Sequence, residues 1–185
     1  MSQVVLIVSQ VIGFLAVASF LFSYQLKRRK DIILCNVTSR CLYILQYILL
    51  GAFEGAVLDV LGAVSSVVAA KKNVGIIKKH TKLFVVGIDL VIVIAGLLLY
   101  VNPFSLLPIA GVLLHTTAFW INDEKIIRRV SLLGSPFWMV YNVSCLAYGS
   151  AVGDFLTMVS IVIAMIKYRN LKNNFEESAE AEKDV

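Results

Sequence analysis

Long apolar runs separated by short basic segments organise the chain, and seven of them can be drawn, near residues 4–25, 32–51, 55–71, 83–101, 105–122, 131–148 and 151–168. A helix needs about 17–25 apolar residues to cross about 30 Å of hydrocarbon, and each run meets that length, the third only just. A backbone in lipid must satisfy its own hydrogen bonds, and these runs do not alternate apolar with polar residues as membrane barrels do, so they read as helices. The junctions after Leu50, Val101 and Gly149 are short enough for helical hairpins. The expected fold class is an all-α membrane protein with seven transmembrane helices.

Composition supports the lipid setting. The 185 residues are 59% hydrophobic and only 16% charged, with a mean hydropathy of +0.84, against about 25% charged in soluble domains. Sixteen of the 17 Lys and Arg fall between runs or after the last one: 27–30, 71–82, 125–129 and 167 onward. Seven crossings put all of these on one side, and Arg40 is the exception. Positive residues resist translocation, so the N-terminus is expected outside and the C-terminus in the cytoplasm. The net charge of +5 then reflects topology and anionic headgroups, not nucleic acid.

The first run differs from a secretory signal because its basic residues follow the apolar core. Cys35, Cys41 and Cys145 fall inside runs without metal-ligand spacing and are expected as buried thiols. Residues 171–185, acidic and almost free of apolar side chains, are expected as a disordered cytoplasmic tail.

A shift of 95 positions aligns residues 42–72 with 137–167 at ten identities in 31 positions, including Asp59 with Asp154. Tyr43 with Trp138 and Phe53 with Tyr148 support the register. The layout that follows is a first three-helix repeat (1–72), a cytoplasmic loop and linker helix (73–102), and a second three-helix repeat (103–170) before the tail. Because a three-helix unit reverses sidedness and the linker restores it, the two repeats are parallel.

Several segments carry a resemblance: QVIG at 10–13, Gln25 before the basic loop, CNVTSRCLYILQYILLGAFEGA, LLPIAGVLLHTTAFW and FWMVYN. On these the chain resembles the YgjV-type bacterial inner membrane proteins, and its three-plus-one-plus-three plan resembles the SWEET and PQ-loop superfamily of small-solute transporters. The resemblance implies solute transport by rocking of two three-helix bundles. It does not imply sugar: helix-bending prolines stand only in the second repeat, Pro108 in the fifth helix and Pro136 in the sixth, and the third and seventh helices carry serines where the SWEET pattern has sugar-flanking asparagines.

Candidate chemistry lies in polar residues at membrane depth. Arg40 sits about 14 Å along the axis from Asp31, and an arginine there costs about 2.5–3.5 kcal/mol on insertion scales, so it needs a partner or a wet cavity. Two readings stand: a structural ion pair with Asp89 on the linker helix, or a ligand for a polar or anionic solute through its fork of donors. Asn36, Arg40 and Tyr43 share one helical face with Tyr47 one turn further, Trp138, Tyr141 and Asn142 form a comparable stripe in the sixth helix, and His115 stands in the fifth. Arg40, Asn36, Tyr43, His115, Tyr141 and Asn142 are therefore the candidate substrate-binding residues. Asp59 and Asp154 read as helix N-terminal caps, with an outer gate as the alternative, and Thr116 and Thr117 as hydroxyls bonded back to their own helix.

No paired catalytic carboxylates, metal cluster or nucleophile with base can be assembled, so neither an enzyme nor a cofactor or metal is expected. The expected partners are the lipid bilayer and an unidentified small polar or anionic solute, with homo-oligomerisation left open. A carrier is the first functional expectation; a non-transporting membrane scaffold or sensor, in which Arg40 only locks the bundle, is the second.

Overall fold

The exterior is apolar, and polar residues lie inside beside an apolar and aromatic core. In the computed structural model, which describes residues 2–23 and 29–181 except for the side chains at 20, 21, 23, 29–36, 124 and 168–181, Ser9, Ser39, Gln46, Ser65, Thr116, Ser135, Asn142 and Ser150 are buried. Val4, Ile7, Val11 and Phe14 on one helix, and Leu83, Val86, Leu90 and Leu97 on another, are exposed. An exterior of this kind has lipid as its solvent.

Eight α-helices are present among the described residues, with no strand: α1 (Gln3–Ser23), α2 (Arg29–Leu50), α3 (Phe53–Ala70), α4 (Gly75–Lys79), α5 (Thr81–Leu98), α6 (Leu106–Trp120), α7 (Glu124–Ser144) and α8 (Tyr148–Ala181). A 3-10 turn, Pro103–Ser105, leads into α6 and is opened by Asn102, whose side chain accepts from Phe104 N at 2.8 Å.

The seven apolar runs correspond to α1, α2, α3, α5, α6, α7 and α8, and α4 is an added turn in the basic loop. Four segments among the described residues are long and apolar enough to cross a membrane: Phe53–Ala70, Thr81–Leu98, Pro103–Trp120 and Tyr148–Lys167. Among the described residues, α1 and α2 carry the apolar stretches Gln3–Ser19 and Val37–Leu50. Helix α7 takes Lys125, Arg128 and Arg129 into its first two turns, after Asp123 caps it by accepting from Lys125 N and Ile126 N.

Two expectations are corrected. The last hairpin turns at 145–147 rather than after Gly149, which lies within α8. Helix α8 continues to Ala181, and residues 182–185 lie outside the described ones. Cys41 is exposed on α2 and Cys145 is half-buried, so neither is a sealed core thiol; the side chain of Cys35 lies outside the described ones.

Both long hairpins close in the same way. At the end of α2, Gly51 N donates to Ile48 O and Ala52 N to Tyr47 O; at the end of α7, Leu146 N donates to Val143 O and Ala147 N to Asn142 O. These are Schellman motifs, which need a left-handed residue at the turn. Gly51 supplies it at φ 73°, and Leu146, 95 positions on, adopts φ 63° despite its side chain.

In the bundle α1 packs on α2 and α8, α6 packs on α7 and α3, and α5 lies outside against α3 and α6. Tyr47, Trp138 and Tyr141 form an aromatic cluster at the centre, with ring centroids 6.1–6.3 Å apart.

Among the described residues, six hydrogen bonds join 3–70 to 103–167 across this centre. Tyr47 Oη donates to Asn142 Oδ1 at 2.8 Å, Ser150 Oγ to Gln46 Oε1 at 2.7 Å, and Gly55 N to Tyr141 Oη at 3.1 Å. Gln10 donates to Leu146 O at 2.7 Å and accepts from Gly149 N at 3.3 Å, while Ser105 Oγ donates to Glu54 Oε1 at 3.4 Å. Under the shift of 95 positions, Gln46 and Ser150 map onto Tyr141 and Gly55, and Gln10 and Gly149 onto Ser105 and Glu54. Tyr47 maps onto its own partner.

Candidate functional site

Below the aromatic cluster, toward the ends of α3 and α6 that carry the basic segments, the bundle holds a cavity of about 200 Å³. It is lined from α2, α3, α6, α7 and α8, among others by Arg40, Tyr43, Tyr47, Asp59, His115, Trp138, Asn142 and Asp154.

Arg40 does not reach Asp89. Its Nη1 lies 3.0 Å from Asp59 Oδ1, because α2 and α3 are consecutive arms of one hairpin, while α5 packs on the far side against α3 and α6. Asp89 instead accepts from Thr116 Oγ1 at 3.3 Å, and the same hydroxyl reaches back to Leu113 O at 3.1 Å, as expected for a membrane threonine. Nor is Asp59 a helix cap: it stands in the second turn of α3, whose N-cap position is Ala52.

Asp154 occupies the equivalent turn of α8. Its Oδ2 accepts from Asn142 Nδ2 at 2.7 Å, and Asn142 in turn accepts from Tyr47 through Oδ1. The fully buried Asn142 amide thus faces a hydroxyl with its oxygen and a carboxylate with its nitrogen. Asp59 Oδ2 is buried without a hydrogen-bond partner among the described residues. Two carboxylates and one guanidinium therefore share the cavity.

Four of the six expected binding residues line it together: Arg40, Tyr43, His115 and Asn142. Tyr141 does not. It is 1% exposed, and its hydroxyl accepts from Gly55 N against the first turn of α3, where any larger residue than glycine would strike the ring. The side chain of Asn36 lies outside the described ones. His115 Nε2 is 3.1 Å from the Ser131 carbonyl and so carries the proton there, which ties α6 to α7 at the cavity wall.

Among the lining residues outside the expected binding set are Asp59 and Asp154, read from the sequence as caps, and Tyr47 and Trp138, which belong to the two polar-aromatic stripes. The signal for the aspartates was present, since they are identical at the 95-position shift, but their place near the start of an apolar run resembled capping.

The cavity's basic end is tied. Lys72 Nζ donates to the carbonyls of Phe119, Trp120 and Ile121 at 3.2, 3.3 and 2.8 Å, holding the last turn of α6 to the end of α3. This bond places the 71–82 and 121–129 segments at one end of the bundle.

The family model for Imp-YgjV, described as bacterial inner membrane protein, matches residues 7–172. The chain belongs to that family. As a member of the Imp-YgjV family it is a bacterial inner-membrane protein, and the apolar exterior, the buried polar interior and the crossing-length helices are the polytopic architecture such a location requires. Comparison with curated proteins and with solved structures gives no match.

Proposed function

We propose that the chain is a small-solute carrier of three-plus-one-plus-three plan, in which α1–α3 and α6–α8 are parallel three-helix units, α5 is the linker, and solute enters the cavity between the units as they rock. The observation that carries this reading is the pairing of the cavity lining. Tyr43 with Trp138, Tyr47 with Asn142, Asp59 with Asp154, and Gly62 with Thr157 all border it, and each pair is related by the shift of 95 positions. A residue that bonds its own counterpart, as Tyr47 does Asn142, lies beside a two-fold axis. An axis running through a wet cleft is how parallel-repeat transporters are built.

In the same reading the seven long helices span the membrane, with the N-terminus outside and the basic segments in the cytoplasm. The outer half is then closed by the six inter-unit bonds, and the cavity lies on the cytoplasmic side of them. Transport needs no chemistry on the solute, so no enzymatic role is assigned.

A scaffold is the competing reading, and the Arg40–Asp59 pair favours it insofar as an internal ion pair locks a hairpin without any ligand. Uptake of a panel of labelled small polar solutes by purified protein in liposomes separates the two. A carrier takes up at least one solute, at a rate altered by Arg40→Gln. Unaltered uptake would remove Arg40 from the site, and no uptake of any solute would favour the scaffold.

A further inference from the structure

The two halves of the cavity are alike in fold and unlike in charge. On one side Asp59 has a cation, Arg40, at 3.0 Å. At the position equivalent to Arg40, 95 residues on, stands Ser135, which also lines the cavity and whose hydroxyl is spent on Ser131 O at 3.0 Å. The carboxylate of Asp154 thus meets only a neutral amide, Asn142 Nδ2, among the described residues. A carboxylate inside the bundle with no cation beside it is unfavourable, and Asp154 borders the cavity.

We propose that the cavity takes a small protonated amine, its ammonium seated against Asp154 in the place that the Arg40 guanidinium holds beside Asp59. This rests on reading the cavity as a solute site and names the class of solute. The guest completes the second ion pair, so that each aspartate has one cation. An anion, by contrast, has to compete with Asp59 for Arg40 and lies between two carboxylates.

The rest of the lining fits a cation. Tyr43, Tyr47 and Trp138 border the same space, and aromatic faces attract an ammonium through the ring quadrupole. The cavity of about 200 Å³ is below the about 300–1,000 Å³ of drug-sized sites, which limits the amine to a few carbons. Tyr43 Oη lies so close to Gly153, on the turn carrying Asp154, that a methyl group there would collide with it.

The test uses three probes of one size and three charges, n-propylammonium, propionamide and propionate, titrated calorimetrically into the full-length protein in detergent, with sodium chloride as the ionic control. Wild type is expected to bind propylammonium at least about tenfold more tightly than either other probe, and tetramethylammonium is expected to compete with it. Asp154→Asn should weaken propylammonium at least about tenfold, and Gly87→Ala, on α5 outside the cavity lining, should not weaken it.

Preference for propionate, equal binding of the three probes, failure of propylammonium to bind, or undiminished binding by Asp154→Asn would each overturn the proposal. The wild-type charge series decides the matter even if Asp154→Asn does not fold. Binding in detergent needs no translocation, so amine binding without uptake would sink the carrier reading alone. Uptake of a neutral or anionic solute by a protein that ignores amines would sink the amine proposal alone.

Discussion

Tyr47 and Asn142 are joined by a 2.8 Å hydrogen bond and occupy equivalent positions of the two aligned segments. Both are buried, and the Asn142 amide passes the contact on to Asp154 at 2.7 Å. Replacing Tyr47 by Phe keeps the ring in its cluster with Trp138 and Tyr141 but leaves Asn142 Oδ1 without its donor. An orphaned buried acceptor costs about 1–3 kcal/mol. Tyr47→Phe is therefore expected to lower stability by that amount in detergent, read from reversible unfolding, and a neutral result would show that water replaces the hydroxyl.

Arg40 and Asp59 form a half-wet pair, with side chains 36% and 17% exposed. Its coupling should lie between the about 0–1 kcal/mol of surface pairs and the about 3–5 kcal/mol lost when one partner of a buried pair is removed. A double-mutant cycle with Arg40→Gln and Asp59→Asn is expected to give about 1–3 kcal/mol. The same cycle with Asp89→Asn in place of Asp59→Asn should give a coupling near zero, because Asp89 is held by Thr116.

Lys72 caps the last turn of α6 from the turn that follows α3, satisfying carbonyls that have no partner in their own helix. Lys72→Met removes the clamp and keeps the stem. It is expected to cost about 0.5–2 kcal/mol in proportion to the charge-assisted bonds lost, and to make the 119–124 segment more sensitive to limited proteolysis. Unchanged cleavage there would show that the α6 end is held by packing alone.

Two glycines differ in what surrounds them. A Cβ at Gly149 would lie 2.6–2.8 Å from the backbone of Gly13 and Phe14, where α1 and α8 meet, whereas one at Gly87 on α5 would meet nothing within 4 Å. Gly149→Ala is therefore expected to destabilise by about 1–3 kcal/mol, as overpacking does. Gly87→Ala should instead stabilise by up to about 1 kcal/mol through helix propensity. Melting of the two variants side by side checks both signs.

The number and order of long helices, the basic end of the bundle and the internal alignment were legible in the sequence, because each is written in runs of residues. What was not legible is pairing across helices. Arg40 could be recognised as needing a partner, but choosing Asp59 over Asp89 required knowing that α5 packs outside the α2–α3 hairpin. Tyr141 and Asn142 are neighbours on one stripe, yet one residue of helical rotation sends Tyr141 into packing against Gly55 and Asn142 into the cavity. Reading the aligned segments as a contact map would have gone further, since Tyr47 meets its own counterpart and Arg40 aligns with a serine.

Rocking of the two units is tested most directly by a distance across the closed end. Phe53 and Tyr148 are exposed, stand at the first positions of α3 and α8, and are equivalent under the alignment. Spin labels on Phe53→Cys and Tyr148→Cys, in a background with Cys35, Cys41 and Cys145 replaced, report that distance in lipid by pulsed electron paramagnetic resonance. A rocking carrier gives two distance populations whose ratio moves when propylammonium is added. One narrow population, unchanged by that amine or by any solute of the uptake panel, would contradict it.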